Sequence, residues 1–112
     1  MALGEFEQVV LFALVRLDGE AHGAALVQEI EQRTGRQVSP GALYTALERL
    51  ERKGYVAAWI GDSTPERGGR RRKCYRLQPE GAAELRASYA ALRRLASGMG
   101  ARLEELAGDA PL

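Results

Sequence analysis

The sequence holds a single cysteine, Cys74, and a single histidine, His22. One thiol makes neither an internal disulfide nor a thiolate metal cluster, which agrees with a reducing compartment. His22 has no Cys, Asp or second His beside it, and no convergent pair of carboxylates stands out, so there is little from which to build an enzyme site. Long apolar runs are also missing. The longest, residues 9–15, falls far short of a membrane span, and the opening "MALGEFEQ" carries acids where a secretory signal would carry basic residues before an apolar stretch. The expectation is a cytoplasmic protein that crosses no bilayer, uses no cofactor or metal and is not an enzyme.

Net charge is nearly absent as well: 16 basic side chains against 15 acidic, or +1. Within that balance the distribution is uneven. Six basic residues and no acid fall in positions 67–76, inside "PERGGRRRKCYRL", which leaves ten basic side chains against all 15 acids elsewhere. Charge gathered on one short segment of a near-neutral chain implies a partner such as a phosphate backbone, an acidic protein or an anionic surface; the plainer alternative is a solvated basic loop.

With 112 residues, 46% of them hydrophobic and 28% charged, the chain fits one soluble domain. Residues 3–17 carry Phe6, Val9, Val10, Ala13, Leu14 and Leu17 at helical spacing, and Leu11, Phe12 and Val15 make the other faces apolar too, so this helix is expected to be buried on more than one side. It ends at Asp18-Gly19. A second helix is expected from about His22, with Leu26, Val27 and Ile30 inward and Gly35 just past its end. The third, "SPGALYTALERLERKG" at 39–54, is the most sharply delimited: Ser39 caps, Pro40 suits the first helical position and Gly54 suits the left-handed residue beyond. Leu43, Leu47 and Leu50 form its buried stripe, so Gly41, Tyr44, Thr45 and Glu48 point away from the core.

"YVAAWI", a turn-rich stretch and "RKCYRL" predict a two-stranded hairpin with a basic tip. Tyr75 and Leu77 should face the core, with Cys74 and Arg76 outward. Trp59 falls in an outward set with Tyr55 and Ala57, covered by the last helix or open to a ligand or partner. From Pro79 to Leu106, Leu85, Tyr89, Leu92, Ala96, Met99, Leu103 and Leu106 follow a heptad seam. A helix of roughly 28 residues, about 42 Å long, exceeds what so small a domain can cover and calls for a partner helix, most simply a second copy. Gly98 and Gly100 weaken that seam by up to about 1 kcal/mol each and allow a bend or break. Residues 108–112 should fray.

Three helices followed by a hairpin is the order of a winged helix-turn-helix, α+β but mostly α, here at residues 1–78, with the long dimerisation helix at 79–107. Read this way, "LGEFEQVVLFAL", "HGAALVQEIEQRTG", "SPGALYTALERLERKGYV" and "ERGGRRRKCYRLQPEG" together resemble the PadR family of transcriptional regulators, in its compact form with a single C-terminal helix. The resemblance implies a homodimeric repressor on an inverted-repeat DNA operator, with the last helix and part of the first, including Phe6, at the dimer interface. It places Ser39, Gly41, Tyr44 and Thr45 at the DNA-facing start of the third helix, with Tyr44 similar to a tyrosine set against a phosphate. It also places Gly68, Gly69, Arg70, Arg71, Lys73 and Tyr75 on the wing. Two departures stand out: Gln78 replaces the usual Thr or Ser cap of the last helix, and that helix has no Trp, so an aromatic drug pore is not supported.

The expected DNA-binding set is therefore Ser39, Pro40, Gly41, Tyr44 and Thr45 from the helix, with Arg67, Gly68, Gly69, Arg70, Arg71, Arg72 and Lys73 from the wing. One rival is a winged helix used for protein contact, its basic run binding an acidic partner. A small-molecule effector lodged between the last helices is compatible with the main reading. His22 is read as structural or solvent-facing. Cys74 is read as inert rather than as a redox sensor.

Overall fold

The computed structural model describes residues 3–61 and 72–111. Five helices and three short strands follow one another as α1 (Glu5–Arg16), β1 (Glu20–His22), α2 (Gly23–Thr34), α3 (Pro40–Arg52), β2 (Val56–Ile60), β3 (Lys73–Leu77), α4 (Pro79–Ala96) and α5 (Gly100–Ala107).

Local chemistry sets most of the helix ends. Helix α2 starts where His22 Nδ1 accepts from the Ala25 N–H at 3.2 Å and stops at Gly35, whose φ is 73°. Helix α3 starts where Ser39 Oγ accepts from the Ala42 N–H at 3.1 Å, with Pro40 at its first position. These side-chain acceptors satisfy backbone donors that the helix itself leaves open. Gln78 makes no such bond at the start of α4. In the connection between α2 and α3, Val38 is buried and its N–H donates to Glu31 Oε2 at 3.0 Å, which fixes the turn of the helix-turn-helix.

Helix α1 lies at the centre. Val10, Leu11 and Leu14 have no exposed surface, and they join Leu26, Ile30, Leu43, Leu47, Leu50, Val56 and Tyr75 in one core. The start of α1 is tied to the end of α3 by an ion pair. Glu7 Oε2 accepts from Lys53 Nζ at 2.8 Å, and Glu7 Oε1 accepts from the Gly4 N–H at 2.8 Å. Burial pushes the Glu7 carboxyl up, but the Lys53 hydrogen bond, the Gly4 N–H and the charges of Lys53 and Arg49 together hold it below the ordinary 4.5.

The expected two-stranded hairpin is present as β2 and β3, and a third strand, which the sequence pattern does not announce, extends it. The sheet has three strands in the order β1-β3-β2, all antiparallel, with Ala21 opposite Tyr75 on one side and Ala58 opposite Tyr75 on the other. Strand β1 exists because the corner after α1, with φ of 62° at Asp18 and 87° at Gly19, turns the chain onto the free edge of β3. Tyr75 is buried while Arg76 is exposed, as the alternation of β3 requires. Tyr55 departs from the expected outward set: it precedes β2 and is buried, its carbonyl accepting from the Gln78 N–H at 2.9 Å. Trp59 is half-buried; the Arg76 guanidinium stacks 4.9 Å from its ring centroid, and Arg76 also bonds Glu20 Oε1.

A second correction concerns the C-terminal segment. The expected single helix over 79–107 is two helices, broken at residues 97–99, where Ser97 has left helical geometry and Gly98 takes φ of 77°. A left-handed residue costs glycine little and other residues more, so the break sits at Gly98 despite the unbroken heptad spacing. Leu85 is not on a free seam, since the protomer's own core buries it. Phe6 also packs against that core, under the Arg36 guanidinium at 5.5 Å. Beyond these, every residue from 91 to 111 is exposed, including Leu92, Leu95, Met99, Leu103 and Leu106. The radius of gyration, 16.4 Å, exceeds the about 13 Å of a compact chain of this length. None of the described helices is long and apolar enough to cross a membrane.

Replacing Glu7 by Gln is expected to lower the free energy of unfolding by about 1.5–3 kcal/mol, the usual worth of a hydrogen bond to a charged group, measured by urea denaturation at fixed protein concentration. Because the folded-state pKa of Glu7 is depressed, its contribution is complete above the ordinary carboxylate value and is lost as pH falls through the lower folded value. The difference between the two proteins should therefore close on acidification.

Candidate nucleic-acid interface

Helix α3 buries Leu43, Ala46, Leu47 and Leu50 and so turns its opposite side outward. Ser39, Pro40, Gly41, Tyr44 and Thr45 are all exposed, and the structure gathers them over the first turn and a half of the helix. No acidic residue lies in that first turn, so its open N–H groups and the positive end of the helix dipole are left unopposed there. Ser39 Oγ is committed to capping, which leaves it accessible but already bonded.

Tyr44 is 47% exposed and leans toward the start of α2. A Cβ built on Gly23 would lie 2.5 Å from the Tyr44 hydroxyl and 2.9 Å from Cζ. The side chain thus rests against a backbone that only glycine leaves bare, and the contact sets its direction. On the other flank, Tyr44 shares a depression of about 200 Å³ with Glu48, Glu51, Lys73 and Tyr75. Burial, then Tyr44, Glu51 and Cys74, push the Tyr75 hydroxyl up to about 12, so Tyr75 is a neutral support for this corner.

Strands β2 and β3 hold the stem of the wing. Ile60 pairs with Lys73, and the Gly61 N–H donates to the Arg72 carbonyl at 2.7 Å, which closes the ladder beside α3. Lys73 lies half-exposed, 4.0 Å from Glu51, and Arg72 Nη1 lies 2.6 Å from His22 Nε2. Of the expected wing residues, Arg67, Gly68, Gly69, Arg70 and Arg71 lie outside the described residues. Arg76, also in the basic run, is engaged by Glu20 and Trp59 on the far strand face.

His22 proves structural, as the cap of α2. The Cys74 Sγ points to the Arg72 carbonyl at 3.7 Å. Among the described residues, no group of three or more His, Cys, Asp or Glu is arranged to hold a metal ion. What sequence reasoning passed over on α3 is Arg52, exposed in line with Glu48 and 3.9 Å from it; the signal was its i+4 spacing.

Comparison with known proteins places this geometry. The Transcriptional regulator PadR-like family matches residues 10–87, from within α1 into α4. Transcriptional regulator Rv3488 of Mycobacterium tuberculosis is 43% identical over 79 residues, spanning 70% of this chain and 69% of that protein. A solved PadR family transcriptional regulator from Eggerthella lenta superposes with a TM-score of 0.69 at 31% identity, covering 89% of this chain and 87% of that one. A PadR family transcription regulator from Clostridium difficile has the same fold, with a TM-score of 0.72 at 24% identity over 89% of this chain and 99% of its own. A winged-helix fold and a family match over more than half its length identify the chain as a member of the PadR-like family of transcriptional regulators.

Proposed function

We propose that two copies of this chain form a dimer that binds an inverted-repeat DNA operator and represses transcription by occluding a promoter. The observation that carries this reading is the exposed start of α3, bare of acid and set beside the stem of a basic wing. In each half, the N-terminal turns of α3 enter the major groove, with Ser39, Pro40, Gly41, Tyr44 and Thr45 nearest the DNA. Arg67, Arg70, Arg71, Arg72 and Lys73 meet phosphates or a narrow minor groove at the flank.

Dimerisation rests on the apolar side chains that the protomer leaves uncovered. Leu92 and Leu95 on α4, Met99 at the corner and Leu103 and Leu106 on α5, with Tyr89 packed edge-on against Phe12 at 5.4 Å, supply such a surface beside α1. Leu95, 83% exposed, lies off the heptad seam but belongs to the same uncovered stretch. Ala96 is exposed with them; Leu85 is buried in the protomer's core and drops out of the proposed interface, while Phe6, packed only partly on that core, stays in it. Release by a small molecule fits the same scheme. A depression of about 210 Å³ between α1 and α2, lined by Val9, Phe12, Ala13 and Ile30 with Arg16, Glu29 and Arg33 at its rim, adjoins the contact between α1 and α4. An occupant favouring one arrangement of the two copies would shift the spacing of their recognition helices.

Selection of bound duplexes from a random pool by the purified protein tests this reading, with an inverted repeat of half-sites about 34 Å apart expected. Weak retention indifferent to sequence would favour the protein-contact alternative. If about three phosphates are neutralised per protomer, log affinity against log salt concentration should have a slope near −5, and Arg71→Ala should reduce its magnitude by about 2. Leu103→Glu is expected to yield monomers in sedimentation equilibrium at micromolar concentration and to weaken operator binding. Gly23→Ala should displace Tyr44 and weaken operator binding by the dimer about a hundredfold, as loss of one phosphate contact worth ~1.4 kcal/mol in each protomer would, with the helical signal in circular dichroism retained.

A further inference from the structure

On a helix turning about 100° per residue, Gly41, Thr45, Glu48 and Arg52 fall within about 30° of the line opposite the buried face of α3, while Tyr44, Arg49 and Glu51 lie to the sides. The outermost ridge of the helix proposed to enter DNA thus begins with two small residues and then presents a carboxylate. Glu51, on the flank, faces Lys73. Glu48 is different: its side chain is 70% exposed, and Arg52 Nη2 lies 3.9 Å away, longer than a hydrogen bond. Arg52 therefore offsets part of the charge of Glu48 without occupying its oxygens.

A carboxylate directed at a polyanion weakens binding to every sequence unless something in the groove repays it. An ionised Glu can only accept hydrogen bonds. In the major groove guanine offers N7 and O6, both acceptors, thymine offers O4 and a methyl group, and adenine sets its N6 amine beside the acceptor N7; cytosine alone offers the N4 amine without an adjacent acceptor of its own. We propose that Glu48 is a specificity-determining residue that accepts from the exocyclic amine of one cytosine in each half-site. This rests on the DNA-binding reading above and adds to it which base one ridge residue selects. The small side chains of Gly41 and Thr45 serve it by letting the helix approach closely enough for a glutamate to reach the base edges.

The test compares duplexes selected from a random pool by the full-length protein and by its Glu48→Gln and Glu48→Ala variants, with circular dichroism melts to verify folding. The unaltered protein should prefer cytosine at one position of each half-site by about tenfold, the usual scale for a specific base contact. Glu48→Ala should reduce that preference to within about twofold and leave the other positions intact. Glu48→Gln, whose amide both donates and accepts, should move the same position toward adenine. Tighter binding of both variants to all sequences, with base preferences unchanged, would overturn the proposal and leave Glu48 a purely repulsive charge. Failure of the unaltered protein to enrich any inverted repeat would instead sink the operator reading itself, and the assignment of Glu48 with it.

Discussion

Helix α1 is the element that α2, α3, α4 and the sheet all pack against. Its residues Val10, Leu11 and Leu14, within one arc of about 100°, lose all contact with water, whereas Phe12 and Val15, expected to be buried with them, stay exposed. Helices α2 and α3 cover one side, and α4 and the sheet cover part of the rest. Burial without direction would leave the angle of α3 loosely defined. The bond between Glu7 and Lys53 supplies direction, since it joins the first turn of α1 to the residue that ends α3 and lies in a region where both partners are largely shielded from solvent. Such a pair contributes more to holding one arrangement than to net stability, because its desolvation cost offsets much of its attraction.

From that placement follows a division of charge across the candidate interface. The start of α3 is neutral and small, its later turns carry Glu48 and Glu51, and the concentrated positive charge belongs to the wing. A helix of this kind gains little from general attraction to phosphate. On the proposed reading, affinity then falls to the wing and to the helix N-terminus, while the ridge of α3 is left to discriminate. The near-zero net charge of the chain fits the same division, because attraction confined to one segment orients the protein on DNA instead of merely holding it there.

The parts of the fold that local chemistry decides were legible in the sequence. Ser39, Pro40 and Gly54 delimit α3 through capping and backbone preference within a few residues, and the stripe of Leu43, Leu47 and Leu50 names its inner face. Strand β1 was not legible, because three residues carry no usable periodicity and Glu20–His22 becomes a strand only by pairing with Arg76, Tyr75 and Cys74 far along the chain. Tyr55 and Leu85 were misplaced for a related reason: alternation and heptad spacing describe one element at a time, whereas α4 packs its Gly81 against Tyr55 and its body against α1. The break at Gly98 was visible as a weakness, yet the apolar spacing ran through it unbroken, so spacing alone could not show that the helix stops there. In the candidate site, the exposed start of α3 was readable from the wheel of its side chains, whereas the seating of Tyr44 on Gly23 is a meeting of two helices that neither stretch announces.

The corner at residues 97–99 has one more consequence. In the proposed dimer, a single rigid rod would fix the relation between two protomers along its whole length, so any change in operator geometry would require a new seam. Two short rods joined at Ser97 and a left-handed Gly98 would put that relation under the control of a few backbone angles. Evolution can then retune the distance between reading heads by exchanging a residue at the elbow while the recognition surface is left as it stands. Relatives that share this winged helix but differ at the elbow would be matched to differently spaced sites on DNA, a route to new regulatory targets that leaves base recognition unchanged.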